Sequence, residues 1–317
     1  MLPKPLRGVV PPMVTPLLDN DTLDIGGLER LVEHILAGHV HGLFLLGTTG
    51  EAPNLSYDVR HELVRRVCRQ VKGRVPVLVG VTDTVFTESL RLAQTAEKEG
   101  AEAVVAAPPY YFATGQPELV EYYTHLANRL PLPLFLYNMP SHTKVMIDPY
   151  TAHTLSETPN IVGLKDSSAN MIYFHTVRRL ARTRPDWTLL TGPEELLAES
   201  VLLGGDGGIC GGANLWPRLY VDLYRAAQRG DLPSVRQLHD EVMQIATTLY
   251  TLPGHGAPVV AGLKGALDCW GICRGILAEP FGPLSDEQRR VIRERLEHLG
   301  HDWRQPQIGA CPSRQAT

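Results

Sequence analysis

A (β/α)8 TIM barrel with a C-terminal three-helix extension is the fold the sequence predicts, and three observations carry that expectation. Eight short apolar runs alternate with helical patterns over about the first 230 residues. The runs are apolar throughout rather than polar at every second position, as in a parallel sheet buried on both faces. None of them leads into a Gly-x-Gly-x-x-Gly turn, which weighs against a doubly wound dinucleotide-binding sheet.

In chain order the predicted strands are "GVVPPM", "GLFLLG", "VPVLVGV", "AEAVVAAP", "LPLFLYN", "IVGLK", "WTLLTG" and "DGGIC". Between the early ones lie "DIGGLERLVEHILAG", "SYDVRHELVRRVCRQVKG", "TESLRLAQTAEKEG" and "PELVEYYTHLANRL". In these, apolar residues recur every three or four positions, the period of an amphipathic helix, and several end in glycine or a basic residue as helix C-termini do. The barrel is expected to occupy residues 1–229. From "GDLPSVRQLHDEVMQIATTLY" the pattern becomes purely helical through "GAPVVAGLKGALDCWGI" and "LSDEQRRVIRERLEHLG", an extension expected over 230–300. The polar stretch 301–317 is expected to be a disordered tail.

A hydrophobic share of 44% over 317 residues supports a large buried core. The net charge of -4, with acids and bases interspersed, shows neither a basic stripe for nucleic acid nor an acidic tail, so the expected partner is a small molecule. The N-terminus lacks the apolar region of a signal peptide and no segment reaches the length of a membrane span, which points to the cytoplasm. The five cysteines, Cys68, Cys210, Cys269, Cys273 and Cys311, form no Cys-x-x-Cys pair and read as reduced thiols. Cys269 and Cys273 lie one helical turn apart, but no nearby ligands complete a four-ligand set, so no metal is expected.

In such a barrel the chemistry lies at the carboxyl ends of the strands. Of six lysines, Lys4, Lys72, Lys98, Lys144, Lys165 and Lys264, only Lys165 ends a predicted strand. Apolar surroundings disfavour an ammonium ion and free the amine to attack a carbonyl, forming a Schiff base. The alternative is a lysine that reaches the rim and pairs with Asp166. Tyr137 ends the preceding strand, and neighbouring strands lie about 4.8 Å apart, so its phenol can exchange a proton with a carbinolamine at Lys165. It can equally be a rim aromatic bonded to water. In "GTTGE", Thr48 and Thr49 offer hydroxyls beside backbone N–H groups, suited to a carboxylate but also to plain turn chemistry. The glycines of "LGGDGGICGGAN" suit either a phosphate cradle or close backbone packing.

Together "GTTGE", "PPYY", "YNMP" and "GLKDSS", in this order and spacing, resemble the N-acetylneuraminate lyase and dihydrodipicolinate synthase family, over nearly the whole chain up to the last helix. The resemblance implies a class I lyase, a barrel with added C-terminal helices, and a homotetramer built as a dimer of dimers. It implies a covalent imine between Lys165 and pyruvate or another 2-oxo acid, with no other cofactor. It assigns proton shuttling to Tyr137, carboxylate binding to Thr48 and Thr49, and backbone contacts near the ligand to Gly192 and Ile209. Tyr111 corresponds to a tyrosine that enters a neighbouring subunit's site and completes a proton relay through Thr48.

Synthases of that family that condense pyruvate with aspartate semialdehyde carry an arginine where this chain has His142. Histidine lacks the bidentate fork and the permanent charge of arginine; Lys144 offers only a flexible point charge. Strand 7 ends in "TGPEE", and the resemblance places Glu194 and Glu195 where sialic-acid lyases carry an acidic pair that accepts hydrogen bonds from sugar hydroxyls. The alternative is that both are first-turn acids favoured by a helix dipole. The expected activity is therefore aldolase or dehydratase action on a hydroxylated 2-oxo acid of the 2-keto-3-deoxy sugar acid type, with dihydrodipicolinate synthase as the alternative. A catalytically silent keto-acid-binding relative is a third reading, against which stand Lys165, Tyr137, Thr48 and Tyr111.

Overall fold

The computed structural model describes residues 2–299; the tail expected over 301–317, with Cys311, lies outside them. Eight strands form one parallel sheet: β1 Gly8–Val9, β2 Leu43–Leu45, β3 Val77–Gly80, β4 Ala103–Ala106, β5 Leu134–Asn138, β6 Ile161–Asp166, β7 Thr188–Thr191 and β8 Gly207–Gly208. Each pairs with its neighbour in sequence from β2 to β8, and β8 pairs with β1. The sheet closes beyond the end of β1, where Pro12 bridges Phe44 in parallel and the Phe44 N–H donates to the Pro11 carbonyl at 2.9 Å. The result is the (β/α)8 TIM barrel.

Helices α1 Ile25–Ala37, α2 Tyr57–Val71, α3 Phe86–Lys98, α4 Gln116–Arg129, the short α5 Pro140–Thr143, α6 Pro149–Ser156, α7 Met171–Leu180, α8 Leu197–Leu202 and α9 Pro217–Arg229 wrap the sheet. Polar side chains start three of them: Asp24 caps α1 through the Gly27 N–H, Ser56 caps α2 through that of Val59, and Asn170 caps α7 through that of Tyr173. The three predicted C-terminal helices are α10 Leu232–Leu249, α11 Pro258–Cys269 and α12 Asp286–His298. A Ser285–Gln288 capping box opens the last of them.

Every strand position is buried, and the side chains divide between two clusters. The inner one holds Val10, Phe44, Leu78, Val105, Phe135, Tyr137, Leu190 and Ile209, so the barrel is filled rather than hollow. Leu2 and Leu6 join it, and the Leu6 N–H donates to Thr188 Oγ1 at the start of β7, which closes the amino end. The outer cluster packs strands against helices and runs without a break into Leu249, Leu263, Leu267 and Ile292 of the extension. The extension thus shares the barrel's core instead of building its own.

Candidate active site

Strands β5 and β6 set the centre of the site. Their register pairs Tyr137 directly with Lys165, after an irregularity in which Leu134 faces Ile161 but Phe135 already faces Gly163. The shift brings Phe135, Tyr137, Gly163 and Lys165 into register, and the two-residue period of a strand carries Tyr137 inward with Phe135. Lys165 and Tyr137 are each 5% exposed. The Lys165 Nζ lies 4.0 Å from the centre of the Tyr137 ring and 5.1 Å from that of Phe44, so two aromatic faces hold the ammonium by cation–π attraction.

Asp166 is not the partner of Lys165. Its carboxylate accepts from Asn138 Nδ2 at 2.9 Å and from the Ser168 N–H and hydroxyl, each at 3.0 Å. Burial raises its pKa, against the lowering effect of these bonds from Ser168 and Asn138. Lys165 therefore stands one residue before the end of its strand, with Nζ facing aromatic rings and the Tyr137 phenol.

The phenol has its own set of partners. Tyr137 OH and Thr48 Oγ1 lie 3.1 Å apart. Burial would raise the tyrosine's pKa, but the Lys165 charge and hydrogen bonding with Thr48, Lys165 and Ser167 together pull it below its ordinary value. A phenol that gives and regains its proton more readily is suited to general acid–base work. Ser167 is a polar residue at the strand's end, and its position carries a further signal: two residues beyond Lys165, it falls on the same side of the extended chain.

Thr48 and Thr49, both half-buried, sit in the turn after β2. The turn starts at Leu46, in the left-handed region at φ 57°, and is tied down by Thr15 Oγ1 donating to the Gly50 carbonyl at 2.7 Å. Gly192 packs so closely on the Ser167 hydroxyl that a Cβ would stand 1.9 Å from it, and Ile209 is part of the inner cluster beside Tyr137. The glycine stretch near β8 serves close packing rather than a phosphate: a Cβ on Gly207 would lie 1.9 Å from the Gly8 carbonyl oxygen, and the Gly212 N–H is taken by Glu194.

Glu194 is held from three sides. It is buried, and its carboxylate accepts from Tyr220 OH and Tyr250 OH, each at 2.6 Å, and from the Gly212 N–H at 2.7 Å. Its oxygens join the start of the segment after β7 to α9, to the end of α10 and to the Gly212 N–H. Glu195 beside it is half-buried. His142, in α5, is exposed with its Nδ1 3.0 Å from Ser141 Oγ. Desolvation, then the charges of Lys144 and Lys165, lower its pKa and so favour the neutral ring. Lys144 turns back to the Ser141 carbonyl at 2.7 Å and does not supply the missing cation. Tyr111 is 77% exposed and stacks edge-on against Phe112, itself 78% exposed. Within one chain it contributes nothing to the Tyr137 hydrogen bonds.

Among the described residues no group of three or more His, Cys, Asp or Glu side chains is arranged to hold a metal ion, and no helix is long and apolar enough to cross a membrane.

The sequence matches the dihydrodipicolinate synthetase family over residues 5–299. Among solved structures, a dihydrodipicolinate synthase from Bacteroides thetaiotaomicron is 54% identical, with a TM-score of 0.90 over 93% of this chain and 99% of that one. YagE of Escherichia coli K12, a prophage protein of the same family solved in complex with pyruvate, is 30% identical, with a TM-score of 0.86 over 92% and 98%. A probable 2-dehydro-3-deoxy-D-pentonate aldolase of E. coli K12, YjhH, is 34% identical over 85% of this chain and 89% of its own length.

Proposed function

The chain belongs to the dihydrodipicolinate synthetase family of class I lyases, and from that premise we propose that it cleaves or dehydrates a hydroxylated 2-oxo acid through an imine at Lys165. The observation that carries the reading is the Lys165–Tyr137–Thr48 arrangement: a buried amine 4.0 Å from the ring of a tyrosine whose hydroxyl lies 3.1 Å from a threonine.

Lys165 attacks C2 of the 2-oxo acid, whose carboxylate is held by the Thr48 and Thr49 hydroxyls and the turn's N–H groups. Tyr137 passes a proton to the carbinolamine oxygen, water leaves, and a protonated imine remains. In aldol cleavage the C3–C4 bond breaks, its electron pair moves into the imine to give an enamine, and the Tyr137 phenolate takes the C4 hydroxyl proton as the aldehyde forms. Protonation at C3 and hydrolysis release pyruvate and regenerate Lys165. The imine is the electron sink. Gly192 and Ile209 line the space by their backbones, Tyr111 enters from a partner subunit of a homotetramer, and the enzyme works in the cytoplasm.

The substrate's distal half is read from what surrounds it. Ser167 beside the phenol and half-buried Glu195 suit hydroxyl groups, whereas a neutral His142 and a turned-away Lys144 leave a second carboxylate without a cation. YjhH's name agrees with a 2-keto-3-deoxy sugar acid. The second reading, condensation of pyruvate with aspartate semialdehyde, has in its favour the 54% identity to the Bacteroides protein. Specificity constants decide between them. Cleavage of a 2-keto-3-deoxy pentonate is expected to exceed condensation with aspartate semialdehyde, and His142→Arg to move the ratio toward condensation. If aspartate semialdehyde is already the better substrate of the wild type, the second reading holds. Borohydride reduction in the presence of pyruvate is expected to add a pyruvyl-derived group at Lys165, and no adduct at that residue defeats the mechanism.

A further inference from the structure

Lys264 is completely buried, with no exposed surface, in the middle of α11. Its Nζ donates to the Ile276 carbonyl at 2.7 Å and forms an ion pair with Glu51 Oε1. Glu51 Oε2 accepts from the Ala278 N–H at 2.8 Å. A buried carboxylate and a buried ammonium thus join the "GTTGE" turn to α11 and to the segment that follows it. Removing a charge from water is costly, so such a pair is weak evidence for stability and is better explained by what it holds in place.

What it holds is the turn that carries Thr48 and Thr49. Glu51 adopts the left-handed conformation at φ 57°, and its N–H donates back to the Thr48 carbonyl at 3.0 Å. Leu46, also left-handed, marks the other end of the same turn. From Glu51 the connection continues through Thr48 Oγ1 to the Tyr137 hydroxyl and so to Lys165. Burial lowers the pKa of Lys264, while the Glu51 charge acts in the opposite direction. Unlike Lys165, this lysine has both an anionic partner and a carbonyl acceptor, and it has no access to a substrate.

We propose that Glu51 and Lys264 are positioning residues whose buried ion pair sets the orientation of Thr48 and Thr49 toward the carboxylate of the 2-oxo acid. The inference rests on the reading of Lys165 as imine former and of the threonines as carboxylate contacts, and it extends the catalytic apparatus into the C-terminal helices. Lys264→Met preserves much of the side-chain volume but leaves the Glu51 charge unpaired. Lys264→Met combined with Glu51→Gln leaves no buried charge and keeps an acceptor for the Ala278 N–H, so it is expected to fold even where the single variant does not.

The test measures the rate of borohydride-trapped labelling of Lys165 against pyruvate concentration. In both variants the half-saturating concentration is expected to rise at least tenfold, with the maximal rate changed less than threefold. Leu90→Ala on α3, a buried position outside the turn, α11 and the segment that follows it, serves as a control for destabilisation and is expected to leave half-saturation unchanged. The proposal is overturned if the double variant saturates like the wild type, or if the variants lose labelling only in proportion to their unfolded fraction. A wild type that traps no pyruvate at Lys165 would sink the lyase reading and this inference together, whereas wild-type trapping with unchanged variants removes this inference alone.

Discussion

Replacing Tyr137 by phenylalanine tests the proton role proposed for it with little disturbance of the fold. The ring that faces Lys165 Nζ at 4.0 Å and meets Phe44 edge-on at 6.5 Å is retained, so the cation–π contact and the packing survive. What is lost is the hydroxyl near Thr48 Oγ1 and its bonds to Lys165 and Ser167. Thr48 and Ser167 are half-buried and can turn to water, so the stability cost is about 1 kcal/mol, a shift of a few degrees at most in Tm. General acid–base catalysis by one positioned group contributes about 10²–10⁴ in rate, or about 2.7–5.5 kcal/mol of barrier. Tyr137→Phe should therefore lower kcat by at least about a hundredfold. KM for the 2-oxo acid should change little, because Thr48 and Thr49 remain. The pH profile adds a second readout. The protonated phenol is the donor, and its pKa lies below the ordinary tyrosine value, so wild-type turnover should fall as pH rises through that lowered pKa. The variant should lack this alkaline limb. A kcat within tenfold of wild type, or an alkaline limb that persists unchanged, would refute the assignment.

Glu194→Gln should leave the KM for a sugar acid within about threefold, because the residue binds Tyr220, Tyr250 and Gly212 instead of substrate. Burial raises the Glu194 pKa despite those three bonds, so the wild type's stability contribution from this group is fully present below pH 4.5 and is lost as pH rises through the raised value. The Tm difference between wild type and variant should accordingly vary over that window; a large KM effect with a pH-independent Tm difference would return Glu194 to the substrate site. Tyr111→Phe should lower turnover more than pyruvate binding. Mixing Lys165→Ala with Tyr111→Phe subunits should restore activity in hybrid oligomers, and hybrids no more active than their parents would remove the shared-site role from this exposed tyrosine.

The candidate site was legible to the extent that its signals are local. Lys165 stood out because it interrupts an apolar strand run at its carboxyl end, and Tyr137 because it ends the preceding run; parallel pairing then brings the two together as a matter of strand spacing. The same reasoning did not separate Glu194 from Glu195. Two adjacent acids after a strand look alike in sequence, and which one turns inward depends on Tyr220 and Tyr250, which lie 26 and 56 residues further on. Lys264 had a signal that position at a strand end could not register: it is a lysine inside the apolar stretch "PVVAGLKGAL".

The strand and helix order, the barrel and the three added helices follow from hydrophobic periodicity, which each segment carries in its own residues and which holds wherever that segment is placed. The length of the strands does not follow: "GVVPPM" contributes only Gly8–Val9 to the sheet ladder, and its remainder closes the barrel through the Pro12–Phe44 bridge. Tertiary structure alone decided that Asp166 turns to Asn138 and Ser168 rather than to Lys165, that Glu194 faces the tyrosines, and that Lys264 meets Glu51 213 residues before it. Each of these is a choice among several polar partners for one buried group. Burial makes an unmet partner costly, and only the assembled fold determines which partner comes within reach.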